Sequence, residues 1–440
     1  MIPRIKTALP GPKAKEYLAL AKRYEPNSMS DQVPIVWKSG KGVMIEDVDG
    51  NQFLDWTSGV LVVNIGHSHP KLVREIKDQA DKIVNSYDFV NMYRSRLAKK
   101  LVELTPPNLN KAFILTTGSE TTEAAIKLAR LYTGKYEIIA FQGAFHGRTY
   151  GALSVGGKRS GAGTRGFGPF LPGVVLAPFC FCYRCVFGKT FPECDYHCVQ
   201  YLDWFYETET EKKVAAVITE IYQGGAGSII PPGEYMKKLE AWCKARDILL
   251  IIDEVQASFG RTGKMFGFEH YGIRPNLLCL GKGISSSMPI SALVVESRIM
   301  DVLSPGSLSS THGGNAFSAR IALKNIEIIE EENLVENSAL VGKYMLNRFK
   351  EMETGYEILG EARGQGLVLG LEIVKSKKTK VPHPELAKKI TMECYKRGLL
   401  LIAPIGFYGN VLRVAPPLVI TISQAKTGLD IMEEVFKKLG

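Results

Sequence analysis

Lys282 closes the apolar run LLCLG (277–281), a position where a lysine needs a reason. Lysine is almost never fully buried without a partner or a role, and a desolvated amine loses its proton more readily and becomes a nucleophile. Asp253 closes ILLIID (248–253), with Glu254 and Gln256 just beyond, and Glu220 follows VAAVIT (214–219). Phe145-His146-Gly147-Arg148 come after EIIAF (137–141). AFIL (112–115) leads through Thr116-Thr117-Gly118-Ser119-Glu120 into the helical pattern EAAIKLARLY. N–H groups at a helix start, a glycine that lets a ligand close and nearby hydroxyls make a phosphate cradle. Each feature alone has a plain structural explanation: Gly118-Ser119 and Asp253 as helix caps, Lys282 as a salt-bridged or solvent-reaching end. Together, a strand-end amine, a strand-end acid and a phosphate cradle suit pyridoxal phosphate. That cofactor takes a lysine as Schiff base and an acid that keeps its ring nitrogen protonated.

The elements that must hold these residues are short apolar runs without period-two alternation, separated by helical patterns. Such runs predict buried parallel strands, and ligands of open α/β sheets bind beyond the carboxyl ends of the strands. Helices are expected from about Ser119 to Tyr132, with Gly134 as the stop, and around Tyr235–Arg246. Ahead of this core, GVMIEDV, the turn Asp49-Gly50-Asn51 and QFLDW read as a hairpin. Behind it, from Ala316, come a long helix, GLVLGLEI, a helix near 386–397, LLLIAP, VLRVA and a final helix. The chain of 440 residues exceeds one comfortable core. The expected organisation is α/β, with an N-terminal segment 1–69 packing with the small domain, a large domain 70–315 with a mostly parallel sheet, and a smaller α+β domain 316–440.

Composition narrows the classes. With 45% hydrophobic and 23% charged residues the chain matches soluble globular proteins, against disorder or coiled coil. Its longest uncharged stretch, Gly166–Tyr183, carries Pro169, Pro172 and Pro178, which break a membrane-spanning helix. The opening MIPRIKTALPGPKAKEY has no apolar core with a small-residue cleavage site, so a cytoplasmic protein with no membrane contact is expected. The net charge of +10 is spread among acids with no basic block interleaved with aromatics, which argues against a nucleic-acid partner. A basic surface that steers anionic small molecules is expected instead. Five of eight cysteines cluster: Cys180, Cys182, Cys185, Cys194 and Cys198, beside His197. Cys182 and Cys185 have CxxC spacing, but Cys194-x3-Cys198 matches a metal site less well. A loop with free thiols is the expectation, zinc the lesser alternative, and no metal site is assigned.

The run LLIIDEVQASFGRTGKMFGFEHYGIRPNLLCLGKGISSSMPISALV (249–294) resembles the signature of the class III aminotransferases, pyridoxal-phosphate enzymes of fold type I. Similar motifs cover nearly the whole chain in the family's order: LDWTSGVLVVNIGHSHPKLV (54–73), TTGSETTEAAIKLAR (116–130), FHGRTYGALS (145–154), THGGNAFSARIAL (311–323), ARGQGLVLGLEI (362–373) and LRVAPPL (412–418). The resemblance implies that Lys282 forms the Schiff base and shuttles the proton, and that Asp253 pairs with the pyridinium nitrogen. Gln256 then bonds the ring hydroxyl, and Phe145 stacks on the ring, a contact worth about 0.5–1.5 kcal/mol. His146 is counted with the cofactor residues. Gly118 and Ser119 hold the phosphate, helped by Thr311 from a second subunit, so a homodimer with a composite site is implied. His67 and His69 belong to a turn rather than to a metal pair.

Arg148 matches the family position that binds the distal carboxylate in 4-aminobutyrate and ornithine aminotransferases, and Arg413 the one that binds an α-carboxylate; a planar guanidinium suits both. Glu220 is placed with these substrate-side residues. One departure stands out. Where those ω-aminotransferases continue after this glutamate with Pro and QGEGG, the chain has Ile221-Tyr222-Gln223-Gly224-Gly225. The glutamate that masks the α-carboxylate arginine is Gly225 here, so Arg413 stays available or is masked by another group. The expected activity is amino transfer from an ω-amino acid or amine, 4-aminobutyrate first, to a 2-oxo acid such as 2-oxoglutarate or pyruvate. Amino-acid racemisation on the same scaffold is the alternative, and the motifs do not separate the two.

Overall fold

The computed structural model describes residues 2–29, 31–157 and 163–440. Its strands begin with β1 (Trp37–Lys41), β2 (Met44–Asp47), β3 (Gln52–Asp55), β4 (Lys111–Leu115) and β5 (Glu137–Phe141). There follow β6 (Val174–Ala177), β7 (Val214–Glu220), β8 (Leu249–Asp253), β9 (Leu277–Leu280) and β10 (Ser291–Val295). The last are β11 (Leu359–Gln365), β12 (Val368–Ile373), β13 (Leu399–Leu400) and β14 (Val411–Val414). The chain forms two compact units, one of Met1–Val73, Gly260–Gly263 and Ile329–Gly440, the other of Arg74–Phe259 and Lys264–Ile328. Most of the helix Ala316–Glu331 therefore stays with the second, larger unit. No helix among the described residues is long and apolar enough to cross a membrane.

The larger unit holds a seven-stranded sheet in the order β4-β10-β9-β8-β7-β5-β6. β6, β5, β7, β8 and β9 are mutually parallel. β10 is antiparallel to both β9 and β4, which restores the common direction in β4. Three details therefore differ from the expectation, the first being that VVLA (174–177), not anticipated as a strand, adds a parallel edge beside β5. AFIL is an edge strand whose one sheet partner runs antiparallel, and SALVV (291–295), not anticipated as a strand, is the reversed one. Apolar runs report burial and say nothing of direction, so the sequence could not separate these cases. The consequence for the site is favourable: the carboxyl ends of β4, β5, β7, β8 and β9 share one edge of the sheet.

The helix Gly118–Thr133 packs on this sheet through Ala124, Ala125, Leu128 and Ala129, which join Ala215, Ile218, Ile251, Leu277 and Leu293 in one buried cluster. Three alanines in that face let the helix lie close to the strands. Its start is fixed by a capping box, Thr117 Oγ1 accepting the Glu120 N–H while the Glu120 carboxylate accepts the Thr117 N–H. Gly134, at φ 66°, ends it as expected.

In the other unit β2 and β3 form the expected hairpin, with Ile45 opposite Phe53. The Asp47 carboxylate accepts the N–H groups of Asp49 and Asn51 and closes the turn. β3 then pairs in parallel with β13, giving a sheet β1-β2-β3-β13, and Phe53 stacks on Tyr395 at 5.5 Å. A separate antiparallel sheet, β11-β12-β14, completes this unit.

Candidate active site

The last residues of β7 and β8, Glu220 and Asp253, are register partners, so their side chains emerge side by side at the shared edge. Asp253 is buried. Its Oδ2 lies 2.7 Å from His146 Nδ1, and its Oδ1 accepts the Val255 N–H at 2.9 Å. His146 is itself buried, with its backbone carbonyl held by Thr122 Oγ1 at 2.9 Å. The imidazole thus stands behind the carboxylate and holds its direction. This link spans 107 residues of sequence, and sequence reasoning missed it, having placed His146 only broadly among cofactor residues.

Glu220 takes a different part from the substrate-side one expected. Its Oε1 accepts the Phe145 N–H and its Oε2 the Gly224 N–H, both at 2.9 Å, so the carboxylate ties together the two loops after β5 and β7. Burial pushes its carboxyl up to about 7, with Asp253 adding to the rise and His146 and the two backbone donors opposing it. Gln256 is half-buried and accepts the Tyr222 hydroxyl at Oε1, 3.2 Å away.

Lys282 follows β9 on a single 3₁₀ turn, Lys282–Ile284, and has φ +42°. A left-handed backbone in a residue with a Cβ is unfavourable by roughly 1–2 kcal/mol and persists only where its surroundings impose it. Asn325, fully buried on the helix Ala316–Glu331, supplies that restraint by donating to the carbonyls of Gly283 and Ile284 at 2.8 and 3.0 Å. The one hint in the sequence is a lone amide within the apolar pattern IAL-K-N-I-E-II. Lys282 is half-buried and has interaction partners of its own.

The helix start lies next to this turn. A Cβ on Gly118 would come within 2.8 Å of a Val255 methyl, and one on Gly281 within 3.1 Å of the same methyl. Glycine at both positions lets the turn before Lys282 and the helix start pack closely around the Val255 side chain. The capping box takes the Glu120 N–H and leaves those of Gly118 and Ser119 outside it. Ser119 Oγ accepts the Arg148 N–H at 3.1 Å and joins the helix start to the Phe145–Arg148 loop. Phe145 is 43% exposed, and the Arg148 guanidinium lies over its ring at 5.2 Å from the centroid. Gly225 faces the same ring: its Cβ would stand 3.3 Å from Phe145 Cβ.

The larger unit thus brings together Gly118, Ser119, Phe145, His146, Arg148, Glu220, Asp253, Gln256 and Lys282. They fit pyridoxal phosphate in each respect that its chemistry tests: a buried acid with a histidine behind it for the ring nitrogen, an amine on a strained turn, an exposed ring, and a helix start whose Gly118 and Ser119 N–H groups lie outside the capping box, for the phosphate. Thr311 is exposed in the same unit. Arg413 is buried on β14 in the other unit and has an interaction partner, so it is not left open. His67 and His69 serve separate carboxylates, Asp55 at 2.7 Å and Glu332 at 3.3 Å.

The model of the family "Aminotransferase class-III" matches residues 26–436. The alanine/serine racemase of Pyrococcus horikoshii is 37% identical over 99% of this chain and 93% of its own length. The leucine/methionine racemase of Thermococcus litoralis is 36% identical over 91% of this chain and 90% of its own. Among solved structures, an (S)-enantioselective ω-transaminase from Thermomicrobium roseum superposes with a TM-score of 0.90 at 30% identity, covering 99% of each chain. With a site built for pyridoxal phosphate and an α/β fold of type I, the protein is an enzyme of amino-group transfer or exchange, and the chain belongs to the class III aminotransferase family.

Proposed function

We propose that the enzyme racemises neutral α-amino acids. The observation that carries this is Gly225 beside the Phe145 ring. A transaminase of ω-amino acids must accept two kinds of ligand in turn, one with its carboxylate far from the reacting carbon and one with it near. The masking glutamate of the family members that Gly225 departs from serves that alternation. A racemase takes and returns one kind of ligand, always with an α-carboxylate, and needs no such device. The likeness to two amino-acid racemases supports the same conclusion.

Bound at this site, pyridoxal phosphate supplies an electron sink that makes the substrate α-proton acidic. Asp253 holds the positive charge of the ring nitrogen, oriented by His146. The Lys282 amine takes the α-proton from one face of the carbon, and inversion is completed by a proton returned to the opposite face. The N–H groups of Gly118 and Ser119 hold the phosphate, Gln256 the ring hydroxyl, and Phe145 covers the ring. Arg413 anchors the α-carboxylate, the role its motif LRVAPPL carries in the family. Thr311, from a second subunit, completes the phosphate site in a homodimer; a monomer active at assay concentration in light scattering would refute that element.

Purified enzyme given L-alanine, L-serine, L-leucine or L-methionine should lose optical rotation without accumulating 2-oxo acid. Formation of oxo acid in step with amino-donor loss, with rotation of the remainder unchanged, would contradict racemisation. A second activity, transfer from 4-aminobutyrate to 2-oxoglutarate or pyruvate, is favoured by one observation: Arg148 is exposed over the Phe145 ring, where a distal carboxylate would find it. Arg148→Ala should then raise the KM for 4-aminobutyrate and spare alanine.

A further inference from the structure

The cysteine-rich segment follows β6 and belongs to none of the chemistry above. Cys180, Cys182, Cys185, Cys194, Cys198 and His197 line one cavity of about 20 Å³, enough for a single atom or water. All five cysteines are free thiols, with Cys182 exposed, Cys180 buried and the other three between. Local geometry puts the four outer thiols in pairs. Cys182 opens a 3₁₀ turn, Cys182–Arg184, with Cys185 as its cap, and side chains three apart eclipse on such a turn. The Cys194 carbonyl accepts the His197 N–H at 3.0 Å in the turn that starts the helix His197–Glu209, which keeps Cys194 and Cys198 within one turn of each other. Aromatic contacts brace the rim: Phe187 meets His197 edge to face at 5.0 Å, and Phe191 meets Tyr196 at 5.2 Å.

We propose that Cys182, Cys185, Cys194 and Cys198 bind one zinc ion as a structural site. Four thiolates complete a tetrahedron with Zn–S bonds of about 2.3 Å and leave no open position, as structural zinc requires. Among the described residues no group of three or more His, Cys, Asp or Glu side chains stands as a ready ligand set, so binding requires the thiols around the shared cavity to draw together. Zinc takes the four sulfurs as thiolates, so binding releases the thiol protons to solvent. Cys180 stays out of the set, packed beneath beside Tyr235. The site braces a path to the catalytic edge, because Phe179 contacts both Tyr235 and Phe141, the last residue of β5. Its loss should therefore lower thermal stability more than turnover.

The test uses the full, cofactor-loaded chain made in zinc-supplemented medium and dialysed. Elemental analysis should find about one zinc per chain, falling at least tenfold in Cys185→Ser/Cys194→Ser while the cofactor absorbance remains. Should that variant fail to fold, alkylation of the wild-type protein read by mass spectrometry decides. Cys182, Cys185, Cys194 and Cys198 should be protected until a chelator is added, then modified together. Wild-type protein with less than about a tenth of an equivalent of zinc, the same four thiols reacting equally with and without chelator, or an intact mass showing them joined as disulfides would each overturn the proposal.

Discussion

Asp253 and Glu220 stand side by side at the ends of neighbouring strands, and their surroundings give them different work. Asp253 is aligned by His146 Nδ1 and the Val255 N–H, as the proposed partner of the cofactor's ring nitrogen requires; Glu220 is spent on two backbone donors and holds loops. Asp253→Asn should keep the covalent bond between Lys282 and the cofactor, reducible by borohydride, yet slow α-proton exchange. The loss is that of a charge-assisted hydrogen bond, about 1.5–3 kcal/mol or 10- to 100-fold. Unchanged exchange in that variant would remove Asp253 from the chemistry. A side chain at Gly225 meets one tight contact, Phe145 Cβ at 3.3 Å from its Cβ position, which a shift of a few tenths of an ångström relieves. Gly225→Glu restores the masking carboxylate of the ω-aminotransferases. It should move the ratio of kcat/KM for 4-aminobutyrate over that for alanine upward by about 10- to 100-fold, the value of one charge-assisted contact. A ratio that stays put would show that this position does not govern ligand choice.

The 3₁₀ turn after β9 is where a strained backbone and a buried amide meet. Asn325→Ala would leave the Gly283 and Ile284 carbonyls without their donor, at about 1–3 kcal/mol. Thermal melting should fall by several degrees, and cofactor should be lost faster on dilution; a variant with unchanged melting and cofactor retention would mean the turn holds without it. Much of this arrangement was legible in the chain. Apolar runs without alternation mark buried strands, so Asp253, Glu220 and Lys282 could be placed at strand ends; Gly134 marked the end of the helix, whose cap is Thr117 rather than the Gly118-Ser119 pair expected. Direction and partnership were not legible. SALVV runs against its neighbours because the fold returns the chain across the sheet, which no local pattern records. The His146–Asp253 pair depends on β5 and β8 flanking β7, and the positive φ of Lys282 depends on Asn325 from a distant helix. Arg413, expected to be open or masked, has a partner that its motif did not reveal.

Across the whole chain, two buried acids tie folding to pH. Burial pushes Glu220 up to about 7 and Glu254 up to about 8 from an ordinary 4.5. The folded state then binds more protons than the unfolded one between about 4.5 and 8, so stability falls as pH rises through that window and levels off above it. Melting of the cofactor-free protein should be higher at pH 5.5 than at pH 8, with a shallower difference in Glu220→Gln; a melting point that rises over this range would contradict the burial of these groups as neutral acids. The apolar run Ile83, Val84, Tyr87, Phe89, Val90 and Met92 is exposed on a single chain, Phe89 by 79% and Val90 by 86%, and a patch of that kind fits an interface with a second copy. The central claim is that the enzyme exchanges and returns the α-proton of an amino acid without parting with the amino group. Its most direct test is proton NMR of L-alanine or L-leucine with the enzyme in D₂O and no 2-oxo acid present. Loss of the α-proton signal accompanied by D-amino acid, with the amino group retained, is the predicted result. Exchange that yields no D-form, or inversion that appears only when a 2-oxo acid acceptor is added, would contradict it.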